Sequence, residues 1–235
     1  MSEPGAGAVQ QRYDWDYLVS RSGDEGRAWA LEYARPEHAA IAKGADQALA
    51  LCLQRRFEPA RASLEDACAR LGALRGARAS IVHVLERWYH GVSAYHAYCI
   101  EDYELAPSGL VLAAEAIRAA VDQDRFLVPL AHHCHEFHLH HARIARNRRR
   151  WPEMREHLGI VRAMLENRAP LCVLGDGARV DYAMLARHCA ALPEIPAEAR
   201  ASVSFFSDQA VRSRSHERFL LALYLLPGIV IPSAG

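Results

Sequence analysis

The sequence predicts an all-α fold built from consecutive antiparallel helical hairpins. Three observations lead there. Alanine, leucine, arginine and glutamate dominate and β-branched residues are sparse, a mixture that favours helix over strand. Apolar residues recur at spacings of three and four through most of the chain, the period of a helix with one buried face. Pro107-Ser108-Gly109, Ala169-Pro170, Gly175-Asp176-Gly177 and Pro193 with Pro196 then cut that pattern into helix-sized lengths.

Residues 1–12 are small and polar and read as a flexible arm; residues 13–235 read as a single helical domain. Tyr13, Trp15, Tyr17 and Leu18 alternate with acids, as a short strand or an aromatic arm on a helical surface would. Helices then come in pairs: 38–53 with 58–74, 79–100 with 108–121, 127–146 with 152–167, and 178–191 with 197–212. A last apolar helix, 216–226, reads as a cap or a homodimer contact. The stripe Leu127, Leu130, Cys134, Phe137, His141, Ile144 marks the buried face of the fifth helix.

Composition bounds function. At 51% hydrophobic and 24% charged the chain is globular, and its equal acidic and basic counts, 28 each, give no general attraction to nucleic acid or anionic membrane. The six cysteines form no C-x-x-C pair, which points to free thiols in a reducing, cytoplasmic setting. No basic segment leads into an apolar run at the N-terminus, so no signal peptide is expected. The apolar stretch 219–231 is interrupted by Pro227-Gly228 and is short for a membrane span.

Two hairpins share a spacing. Ala48 is followed nine residues later by Phe57, then Ala60, Leu64 and Ala67; Ala142 is followed in the same way by Trp151, Met154, Leu158 and Val161. A small residue lets the second helix approach, the aromatic closes the turn, and the apolar stripe packs back. At these positions the chain resembles the tetratricopeptide family of helix–turn–helix repeats, with Arg55 and Arg149 where that family has a turn glycine. The second hairpin reads as having a longer loop. The resemblance implies a short right-handed superhelix whose groove binds a peptide or protein partner. Its groove positions would include Glu136, Leu139, His140, Arg143 and Arg146, a surface suited to an acidic segment. The family's lysine–asparagine carboxylate clamp is not reproduced. Tyr89 and His96, seven apart and off the core stripe, are further groove candidates.

The segment His132–His141 holds six histidines: His132, His133, His135, His138, His140 and His141. On one continuous helix His132, Glu136 and His140 share a face, and i,i+4 pairs of this kind can chelate. With Glu86 and His90 from the second hairpin they form a candidate transition-metal set, for iron or zinc in a metal-dependent, non-heme-iron-like enzyme. A third expectation is pH response, from protonation of His132, His133 and His140 beside Arg143 between about pH 7 and 5.5.

Overall fold

The computed structural model describes residues 19–191. Eight α-helices run through them: α1 (Gly23–Tyr33), α2 (Pro36–Leu53), α3 (Phe57–Ala73), α4 (Ala79–Cys99), α5 (Leu105–Gln123), α6 (Cys134–Asn147), α7 (Trp151–Leu165) and α8 (Tyr182–Ala191). A 3-10 helix, Arg125–His133, leads into α6. Strands β1 (Cys172–Val173) and β2 (Arg179–Val180) pair antiparallel, Cys172 opposite Val180. The fold is all-α apart from this small hairpin. The arm, 197–212 and 216–226 lie outside the described residues. No described helix is long and apolar enough to cross a membrane.

The pairs α2/α3, α4/α5 and α6/α7 are the tightest helix contacts. All three end their first helix in one way. Arg55, Glu101 and Arg149 have φ of 59°, 62° and 57°. In each, this left-handed residue donates its N–H to a carbonyl three residues back, and the next residue donates five back. That is the double bond of a Schellman turn. The α4/α5 connection, 100–104, is longer than 54–56 and 148–150, as the sequence led one to expect, yet the turn is the same. Its residues keep the same register: Ala94, then Tyr103, Ala106, Leu110 and Ala113. All but Tyr103 are buried.

Close packing follows from small side chains. A Cβ on Gly109 of α5 would lie 2.9 Å from the Ala94 Cβ and 3.1 Å from the His90 carbonyl of α4. Helix α1, unmarked in the sequence reading, is pinned by Trp29. Its ring is fully buried and stacked on Tyr33, and its Nε1 donates to Ser80 Oγ at 2.9 Å. Ser80 and Arg78 both donate to Asp124, tying the start of α4 to the end of α5.

The fifth predicted helix is two elements. Pro129 carries no N–H to donate, and Arg125–His133 winds as a 3-10 helix before α6 begins. A 3-10 helix turns faster per residue than an α-helix. The face shared by His132, Glu136 and His140 on a continuous wheel is lost. The predicted start of the seventh helix, at 178, is displaced as well: 179–180 form β2, and α8 opens at Tyr182.

The same insertion changes how the hairpins stack. Helix α2 packs along α4, first helix on first helix. At the next junction α5 packs on the 3-10 helix and on α6, and the α4 and α6 backbones meet little if at all. That separation is what opens the site described next.

A candidate binding cleft between α4 and α6

The cleft holds about 50 Å³ and is lined by Gly91, Ala94, Tyr95 and Tyr98 of α4, Leu110 of α5, and His140, Arg143 and Ile144 of α6. Gly91 and Ala94 keep the α4 side low, and Leu110 and Ile144 give an apolar floor. Tyr95 and Tyr98 form an aromatic wall, their rings 6.4 Å apart and nearly parallel. Arg143 and His140 supply the opposite, polar wall. Arg143 donates to His140 Nδ1 at 3.1 Å, which fixes His140 as an acceptor at that nitrogen. Burial pulls the Arg143 pKa down, yet a guanidinium stays charged in a protein. It is a partly desolvated cation, and its field acts through a lower dielectric than water.

One rim carries a polar network. Asn147 Nδ2 donates to the hydroxyls of Tyr98 and Tyr103 at 3.0 and 3.3 Å. Arg146 donates twice to Asn147 Oδ1, at 3.2 and 2.9 Å. Arg148 reaches the Tyr103 carbonyl at 3.2 Å and pairs with Glu104. This network orients Tyr98 and places cationic side chains at the mouth.

Of the predicted groove residues, His140 and Arg143 line the cleft and Arg146 stands at its rim. Leu139 is a core residue, 4% exposed. His96 is buried as well: its Nε2–H donates to the Phe57 carbonyl at 3.1 Å and Phe57 meets its ring edge-on, so it closes the α2/α3 turn. Tyr89 packs with the α2/α3 core, and burial raises its pKa. Gly91, Leu110 and Ile144 were not singled out for the groove. The signal for two of the lining residues was the Ala94-to-Leu110 register, which matches that of the other two hairpins.

The candidate metal ligands are not assembled. His132 is buried, its Nδ1–H donating to the Pro129 carbonyl at 2.7 Å. Glu136 accepts from His133 at 2.8 Å. Glu86 faces His83 at 2.8 Å, and His90 meets the Tyr89 ring edge-on. Among the described residues no three histidine, cysteine or carboxylate groups converge as a metal ion would require. His132, Glu136, His140, Glu86 and His90 do not form a common ligand shell.

The remaining imidazoles are structural. Tyr182 places its hydroxyl 2.8 Å from His135 Nδ1, the nitrogen that also faces the His132 carbonyl. His138 and His157 of α7 share a hydrogen bond between their Nδ1 atoms, 3.1 Å long, and His141 stacks on His157 at 4.7 Å. Burial, then the neighbouring imidazole of His157, pushes His138 and His141 down to about 4. Burial holds His132 and His133 well below 6.5. That lowering disfavours the charge change expected of them. Beside His133, Arg87 is a buried cation whose Nε and the His133 Nε2 meet no protein partner. Its charge is offset chiefly by Glu136.

No family model, curated protein or solved structure matches the chain.

Proposed function

We propose that this protein is a helical-hairpin interaction module of the tetratricopeptide kind, and that its α4/α6 cleft binds an acidic peptide segment. The observation that carries this is the cleft itself, where the parted first helices leave an aromatic wall facing a half-buried arginine. Tyrosine offers large contact area with few rotors to freeze. A guanidinium forks onto carboxylates. The three hairpins with one turn and one register support the family resemblance. Arg146, held by Asn147 beside Tyr98, adds positive charge near the cleft, which favours an acidic partner in encounter as well as in contact.

The test uses a fluorescently labelled glutamate-rich peptide and a lysine-rich peptide of equal length. The glutamate-rich peptide is expected to bind, more weakly as salt rises. Arg143→Glu is expected to lower affinity by about tenfold or more, with the far-ultraviolet dichroism unchanged. Equal binding of both peptides, or an Arg143→Glu protein that binds like wild type, would contradict the proposal.

A further inference from the structure

Gly91 lines the cleft from inside α4, where glycine is the unfavourable choice. In a helix interior glycine is less stable than alanine. The backbone at Gly91 is ordinary helix, with no left-handed φ to call for glycine. Nor does packing require it. A Cβ on Gly26, Gly44 or Gly109 would fall 2.1 Å from the Val19 carbonyl oxygen, 3.2 Å from the Ala67 Cβ and 2.9 Å from the Ala94 Cβ. Those three glycines let another part of the chain come close. A Cβ on Gly91 would meet nothing within 4 Å, although the residue is half-buried. Space is kept open there above a helix none of whose residues from Ile81 to Cys99 is exposed.

The size of that space says what fits. The cleft holds about 50 Å³. A water-sized group needs about 10–15 Å³, so about four such groups fit, the number of carbons in a leucine side chain. Around them stand Ala94, Leu110, Ile144 and the rings of Tyr95 and Tyr98, with the Arg143 cation alongside.

We propose that the cleft takes one branched aliphatic side chain of its peptide, leucine or isoleucine, seated over Gly91 with a neighbouring acidic residue on Arg143. Gly91 sets this choice by leaving its own side-chain space to the partner. The inference rests on the cleft being a site for an acidic peptide, and adds the apolar anchor that charge alone does not supply. An anchor buried in a small pocket is where much of an interface's affinity gathers. Any side chain at position 91 would compete with it. Alanine there should therefore stabilise the fold and weaken the complex, opposite signs that a merely structural glycine would not give.

The experiment measures two labelled peptides against the full chain by fluorescence anisotropy. One is glutamate-rich with a single central leucine; the other has alanine in that place. Wild type is expected to bind the leucine peptide about tenfold or more tighter. Gly91→Ala is expected to melt at or above the wild-type temperature, because the added methyl meets no atom, and to hold the leucine peptide several-fold less tightly. Gly91→Leu fills the cleft and should bind both peptides alike. Equal binding of the two peptides by wild type would overturn the anchor while leaving the acidic site standing. So would a Gly91→Ala protein that binds the leucine peptide like wild type, or a folded Gly91→Leu protein that keeps the wild-type preference. Failure of wild type to bind either peptide would overturn both readings. Leucine-peptide binding that weakens as protein concentration rises would put a second copy of the chain in the cleft, against the inference.

Discussion

His138, His141 and His157 form a three-imidazole junction between α6 and α7 that stores a pH dependence. His138 and His141 are lowered to about 4 in the folded chain, against about 6.5 when unfolded. The unfolded state therefore binds protons first as pH falls. Stability from these two groups is complete above about pH 6.5 and drains away as pH drops toward 4. Urea midpoints taken across that window should fall, and the double variant His138→Gln/His141→Gln should fall less steeply. Equal slopes would show that burial of these rings costs nothing on protonation. At this scale the sequence was informative about kind and poor about place. Six clustered histidines announced themselves, and His141 was placed on the inward stripe of its helix. His157 was missed because its partners lie on another helix. The His132–Glu136 pairing failed because Pro129 changes the winding before α6.

Among the elements, the hairpin turn is the most repeated device. Arg55, Glu101 and Arg149 each hold a left-handed backbone that glycine adopts without steric cost. Each change to glycine should stabilise by about 0.5–1 kcal/mol, with the three roughly additive because the turns are separate. Thermal unfolding of the single and triple variants checks this, and a triple variant no more stable than wild type would contradict it. The opposite sign is expected where α4 and α5 touch. Gly109→Val forces carbon atoms against Ala94 and the His90 carbonyl and should cost about 1–3 kcal/mol. A Gly109→Val denaturation midpoint equal to wild type would disprove the close approach. The α2/α3 and α6/α7 hairpins were legible because small residue, aromatic and apolar stripe sit at fixed separations. The middle hairpin obeys the same rule, but Pro107-Ser108-Gly109 reads as a loop signal. In the fold Pro107 falls in the first turn of α5, where its missing N–H does little harm, and Gly109 is a packing residue.

For the molecule as a whole, the decisive feature is an interruption of regular stacking. The Arg125–His133 segment moves α6 away from α4, and the gap between them is the cleft. Helix class and hairpin order could be read along the chain, because both arise from local periodicity. The cleft could not, since it depends on how the second and third hairpins meet. Hence His140 and Arg143 were anticipated, whereas Leu139 and His96 proved to be packing residues. The metal expectation failed for a related reason: shared spacing on one helix does not make groups on two helices converge. The most direct test is methyl-resolved NMR of the full chain titrated with a glutamate-rich peptide. Shifts concentrated at Ile144 and Leu110, absent in Arg143→Glu, are the predicted result. Shifts centred away from the cleft instead, or none at saturating peptide, would contradict it.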